Sequence, residues 1–278
     1  MKKNDLTHRM FIWIMTAIIG VGILFPVYWI FLSSITPKDM LFTTPINYIP
    51  LKPTLENYFT LFKEVNVGEM AQNTLVIMIF SMVLSILLSI FAAYAFARFS
   101  FKGSKIALGF LVSSAMLPAV STIIPMFQFF RGLKLIDTYT GLIILYTSSF
   151  VPFTVLTFVS FILQIPKSLE EAADVDGAGT LRKIFSVLLP ILKPAIATMM
   201  IINFILCMNE FMIPLIFSTQ KVKTLSVGIT MIPRINQYNV PWEKISSLAT
   251  IMLIPVVAFV ILFEKNIMEG LMAGSVKQ

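Results

Sequence analysis

Residues able to do chemistry gather in two places in this 278-residue chain. The first is the run Glu171, Ala172, Ala173, Asp174, Val175, Asp176, Gly177 and Ala178, a charged, helix-prone stretch set in apolar sequence. A segment kept that polar between two greasy stretches is built to touch something soluble. The second is the neighbourhood of Asn203, Asn209 and Glu210, where a carboxylate falls inside an apolar run. A charge at the centre of a bilayer costs about 2.5 kcal/mol or more, so Glu210 must face protein or water. Asn203, Cys207, Glu210 and Pro214 lie at i, i+4, i+7 and i+11, which puts them on one helix face. Two readings of that stripe stay open: a pore lining, or an interhelical hydrogen-bond cluster that locks packing.

Catalytic and cofactor sets are missing. His8 is the sole histidine and lies near the amino terminus among basic residues, so neither a histidine metal site nor a triad can be assembled. Cys207 is the sole cysteine, which excludes an intrachain disulfide and a cysteine metal cluster. There is no GxxxxGK[ST] phosphate loop, and Gly177-Ala178-Gly179 is a lone GxG without the strand that a nucleotide fingerprint needs. The chain is expected to bind no cofactor, no metal and no ATP of its own.

The elements that must position these residues are set by composition. With 57% hydrophobic and only 13% charged residues, and a mean hydropathy of +0.88, the chain is an integral membrane protein. Residues 10–33, 74–97, 106–130, 141–163, 195–217 and 245–263 are each long and apolar enough to cross a bilayer as helix, giving an all-α protein of six spans in one membrane domain. The first span has Lys2, Lys3 and Arg9 ahead of it, but it is too long for a signal peptide and lacks a cleavage site. Lys and Arg in the short segments, Arg98, Lys102, Lys105, Lys167, Arg182, Lys183 and Lys193 among them, favour a cytoplasmic side for both termini and for the 164–194 loop. The net charge of +7 suits anionic lipid, and no basic cluster interleaved with aromatics suggests nucleic acid.

Between the first two spans, residues 34–70 hold Pro37, Pro45, Pro50 and Pro53 and are expected to form an extended, turn-rich external loop. The second span carries Ser81, Ser85, Ser89, Ala93 and Ala97 on one face, where another helix can approach closely, within this chain or across a subunit interface. Pro118, Pro125 and Pro152 should kink or locally unwind the third and fourth spans. In the 164–194 loop, Ser168 and Glu171 match an S-x-x-E capping box, Asp176-Gly177 offers a helix stop, and Leu181, Ile184, Phe185 and Leu188 form an apolar helical face. Taken alone, this pattern also fits a helical hairpin lying at the headgroups.

The string EEAADVDGAGTLRKIFSVLLPILKP resembles the EAA loop of permease subunits of binding-protein-dependent ABC importers. Glu171, Ala172, Ala173, Asp176, Gly177, Ala178, Phe185, Leu189, Pro190 and Pro194 fall on that pattern. AYAFARFSFKG, GLKLIDTYTGLIILY, NEFMIPLIF and EGLMAGSVKQ are similar to the carbohydrate-importer, maltose-type branch, with departures at Met208, where tryptophan is common, and at the terminal Gln278. The resemblance implies a type I importer permease fold and alternating access. It implies a second related permease, two cytoplasmic ATPase subunits that hold ATP and Mg, an extracytoplasmic solute-binding protein and a sugar substrate. It also implies a bacterial or archaeal cytoplasmic membrane, with the EAA loop acting as the coupling element. The alternatives are a permease for a different polar solute, a secondary carrier, which needs more intramembrane carboxylates or histidines than Glu210 supplies, and a membrane enzyme, which needs a convergent catalytic set.

Overall fold

The computed structural model describes residues 3–234 and 239–275. Regular structure among the described residues is helical. The first elements are α1 (Lys3–Ser34), α2 (Glu56–Glu64), α3 (Val67–Arg98), α4 (Ser104–Met116) and α5 (Ala119–Gly132). Next come α6 (Tyr139–Gln164), α7 (Ser168–Val175) and α8 (Thr180–Lys183), then a π-helical turn at Ile184–Leu188 and α9 (Leu189–Ile191). The chain continues through α10 (Lys193–Asn209), α11 (Met212–Phe217), α12 (Leu225–Met231) and α13 (Trp242–Ser275). The side chains of the stretch EGLMAGSVKQ, Glu269 to Gln278, lie outside the described residues.

Four helical segments are long and apolar enough to cross a membrane: His8–Ser34, Val67–Arg98, Tyr139–Gln164 and Trp242–Phe263. Two more candidates are bent pairs, Ser104–Met116 with Val120–Gly132 at 104° and Thr180–Ile191 with Lys193–Asn209 at 76°, which makes six if each pair is one span. The interruption expected in the span at 106–130 is a full break at Pro118, and the 76° bend falls at Leu192, ahead of the span expected at 195–217. Pro118 caps α5 and starts a new helix direction. A further break, inside 195–217, follows from Pro214, whose ring would collide with the carbonyl of Glu210 and which has no N–H to offer it. The helix accordingly stops at Asn209, Glu210 turns extended (φ −73, ψ 120), and α11 starts at Met212. The freed Glu210 carbonyl accepts from the Ser226 hydroxyl at 2.8 Å.

The chain divides into two compact units, residues 1–68 with 228–255 and residues 69–227 with 256–278. In the first, the loop after α1 is more ordered than its prolines suggest, because α2 forms and ties itself to the end of α1. Asn57 donates to the carbonyls of Ser34 and Thr36, both at 2.9 Å, and Tyr58 donates to the Ser34 hydroxyl at 2.7 Å. These satisfy acceptors that a helix C-terminus leaves open. Lys244 and Glu64 form an ion pair at 2.6 Å in the same unit.

In the second unit, lipid gives helices no hydrophobic reason to associate, so close packing and interhelical hydrogen bonds must do it. The small-residue face of α3 serves packing within the chain: Ser81, Ser85, Ser89 and Ala93 are fully buried. One core joins Ile86, Ile90, Phe158, Ile162, Leu188 and Met199 from α3, α6, the π-turn and α10. A second joins Ile77, Leu142, Tyr146, Phe204, Cys207 and Phe217. Between them, Asn203 on α10 donates to Ser85 of α3 at 3.2 Å and to Thr154 of α6 at 3.5 Å.

Candidate functional site

Two helix breaks of the second unit, α4–α5 and α10–α11, meet around one cavity of about 610 Å³. Ser114, Leu117 and Val120 flank the α4–α5 break, Glu210, Met212 and Ile213 flank the α10–α11 break, and Ser148, Ser149 and Pro152 come from α6. Non-helical backbone at membrane depth is tolerated where it lines a cavity inside protein, and discontinuous helices are the usual framework of solute sites. Glu210 is half-buried, and its Oε1 accepts the Ile213 N–H at 2.9 Å, so the carboxylate caps α11 while facing the cavity. Asn203 is 1% exposed and bonded between α3 and α6, and Asn209 is exposed with its amide donating to the Ile205 carbonyl at 2.9 Å. Of the three polar residues singled out in this region, Glu210 is the one that lines the cavity.

The charged loop is built around α7. Its stop is a paired-hydrogen-bond cap: Gly177 at φ +72 lets its own N–H reach Asp174 O at 3.0 Å and the Ala178 N–H reach Ala173 O at 2.9 Å. Glu171, Ala172 and Asp176 are exposed, Ala173 and Ala178 are half-buried, and Val175 stands 89% exposed. The expected capping box does not form. Lys167, not Ser168, precedes the helix, and its carbonyl takes the Glu170 and Glu171 N–H groups at 2.9 and 3.0 Å. The apolar face after Gly179 is half realised. Ile184 and Leu188 are buried, whereas Leu181 is exposed and Phe185 lies edge-on to Phe91 with ring centroids 6.2 Å apart.

Residues that sequence reasoning missed fix this loop to the transmembrane helices. Glu170, adjacent to the residue singled out, turns inward and pairs with Arg98 Nε at 2.6 Å, the side chains being 9% and 7% exposed. Tyr94 donates to the other Glu170 oxygen at 2.9 Å, and Arg98 also donates to the Ile165 carbonyl at 2.9 Å. The root of α7 is thereby held to the last turn of α3. At another place in the unit, Asp137 (φ +60) accepts from the backbone N–H groups of Gln220, Lys221 and Val222 at 2.9–3.2 Å. Burial alone would raise its carboxyl, but the N–H groups of Lys221, Val222 and Gln220 outweigh that and hold it below the ordinary carboxylate range. Asn73 ties the adjoining segment by donating to Lys223 O at 2.9 Å. Among the described residues no group of three or more His, Cys, Asp or Glu side chains could hold a metal ion.

Broken helices around a cavity, with a polar helical loop rooted on α3 in the same unit, define a polytopic transport protein. The chain belongs to the family of binding-protein-dependent transport system inner membrane components, which it matches over residues 85–269. It is a transport component and not an enzyme. It is 33% identical to the sulfoquinovosyl glycerol transport system permease protein SmoH of Agrobacterium fabrum, over 95% of this chain and 92% of that one. It is 29% identical to the trehalose/maltose transport system permease protein MalG of Thermococcus litoralis, over 99% of each. In fold it is similar to a chain of a solved bacterial ABC transporter involved in the import of the acidic polysaccharide alginate, with a TM-score of 0.80 at 21% identity, covering 95% of this chain and 98% of that one.

Proposed function

We propose that this chain is a sugar-conducting permease subunit of an ATP-driven importer in a bacterial or archaeal cytoplasmic membrane. The observation that carries the reading is the cavity at the meeting of two broken helices, with Glu210 at its edge and an exposed helical loop rooted on α3. The bent pair Ser104–Met116 with Val120–Gly132 counts as one span and α10 with α11 as another, which gives six and leaves both termini and the 164–194 loop cytoplasmic. An extracytoplasmic binding protein delivers the sugar, and a second, related permease completes the path. Two ATPase subunits holding ATP and Mg dock on the loops, and membrane lipid surrounds the rest. The relatives support this reading, since they include transporters described for trehalose/maltose and for galactooligosaccharides.

Within the loop, α7 is the element that meets the ATPase. Ala172 and Val175 present a small, exposed apolar surface, Glu171 sets a carboxylate beside it, and Asp176, Gly177 and Ala178 end the helix sharply. A valine at Gly177 would meet no neighbouring atoms, yet a β-branched residue at φ +72 is strained by its own backbone. The chain should therefore be reconstituted in proteoliposomes with its partner permease, ATPases and binding protein, and uptake of labelled sugar measured with ATP inside. ATP-dependent uptake is expected. Gly177→Val and Glu171→Lys should abolish it and release ATPase from the membrane while the permease inserts at normal levels. Variants that keep both uptake and ATPase retention would remove α7 from the coupling path, and an assembled wild-type complex inert toward every sugar tested would overturn the substrate class.

A further inference from the structure

The polar part of the cavity wall is four hydroxyls, those of Ser114, Thr122, Ser148 and Ser149, and the carboxylate of Glu210. Ser114 donates its proton to Leu111 O at 2.7 Å, Ser148 to Leu145 O at 2.7 Å, and Ser149 to the same carbonyl at 3.1 Å. A hydroxyl engaged in this way turns lone pairs, not a proton, toward the space beside it. Glu210 is the one ionisable residue on the wall; as a carboxylate it only accepts, and one of its oxygens already holds the Ile213 N–H. No lysine, arginine, histidine, asparagine or glutamine lines the cavity, and no ion pair to Glu210 is formed among the described residues. Apart from Thr122 the remaining lining is apolar, with Leu145, Met126 and Phe217 typical of it.

We infer that this cavity selects solutes that donate hydrogen bonds and carry no negative charge, neutral or amino sugars, and that Glu210 is the residue that sets the charge selection. The inference rests on the reading that the cavity lies on the solute's path. Sugar hydroxyls and ammonium groups supply protons to the serine lone pairs and to the Glu210 carboxylate. A uronate or sulfonate group supplies none, and it brings a like charge against Glu210 where apolar walls leave little water to screen the two. The apolar lining meets the ring C–H faces of the sugar without asking for charge. Capping of α11 does not by itself account for a carboxylate here, because a glutamine oxygen would accept the Ile213 N–H as well. The charge is the part left over for the solute.

That difference gives the test. In the full complex carrying Cys207→Ala, Ser149→Cys places the one thiol of this chain on the cavity wall. Its labelling rates with a trimethylammonium and a sulfonate methanethiosulfonate are each normalised to the rates for a free thiol in solution. The cationic reagent should be favoured about tenfold, and Glu210→Gln, which keeps the cap and removes the charge, should bring the ratio to within about twofold of unity. A neutral maltooligosaccharide and a glucosamine oligomer should slow the labelling, whereas an oligouronate should do so only in Glu210→Gln. A ratio unmoved by Glu210→Gln, or an oligouronate that protects the unsubstituted Glu210 form as well as the neutral sugar does, overturns the inference while leaving the importer reading intact. If neither reagent reaches the thiol in a complex that transports sugar, the cavity is off the solute's path and the inference falls with its premise.

Discussion

Asp137 shows how much one side chain can organise. Held at φ +60 between α5 and α6, its carboxylate gathers three consecutive backbone N–H groups of the segment after α11. Its carboxyl is held below the ordinary range, so its contribution to stability is fully present above the unfolded carboxylate value, about 3.9, and is lost as pH falls through the depressed folded value. The substitution Asp137→Asn isolates the charge, because it keeps an acceptor oxygen and a side chain that tolerates positive φ. We expect a loss of about 1 kcal/mol at neutral pH, discounted for partial exposure. In thermal unfolding of the solubilised complex, the gap between the two proteins should close as pH falls below about 3.9; a gap independent of pH would mean that the charge is idle. The sequence shows an aspartate beside a turn but not its partners, which lie 83 to 85 residues further along the chain. Gly177 is the opposite case, legible because a glycine after a charged helical run is where a left-handed stop is cheapest.

At the scale of elements, α7 is positioned from its root. Breaking a buried ion pair by removing one partner costs about 3–5 kcal/mol, because the other charge is left unpaired, whereas removing both is far milder. Arg98→Met and Glu170→Leu should therefore each lower the melting temperature of the complex strongly, and the double variant should recover much of the loss. If the pair also orients α7, the double variant will assemble yet hydrolyse ATP without matching uptake; full uptake per ATP would confine the pair to stability. Sequence periodicity could find α7 but not its phase. Glu170 and Glu171 are adjacent carboxylates, and only the position of Arg98 at the end of α3 decides which one turns inward. The helix starts at Ser168 behind Lys167, and the Ser168 capping box is unmade. The break before α11 did carry a signal, Pro214 four residues after Glu210, which apolar run length alone passes over.

For the molecule as a whole, four of the expected spans are long apolar helices while the other two are interrupted. Run length and composition carry the order of the apolar segments, because each must span the same hydrocarbon thickness. They carry orientation less firmly, since lysines and arginines occur in loops assigned to both sides, Lys38, Lys52, Lys221 and Lys223 among the external ones. Orientation is nevertheless what the proposed mechanism requires, because α7 can meet an ATPase only in the cytoplasm. The native thiol, Cys207, is buried, so Cys207→Ala yields a background without cysteine. In it, Val175→Cys and Ile49→Cys place thiols at positions 89% and 73% exposed, one on α7 and one in the loop between α1 and α2. With intact cells and an impermeant maleimide, Ile49→Cys should label at once and Val175→Cys only after the membrane is permeabilised. Adding the ATPase subunits to permeabilised membranes should then slow labelling of Val175→Cys and leave Ile49→Cys unchanged. Labelling of Val175→Cys from outside intact cells would reverse the topology and remove α7 from any contact with ATP-driven machinery, whatever the cavity conducts.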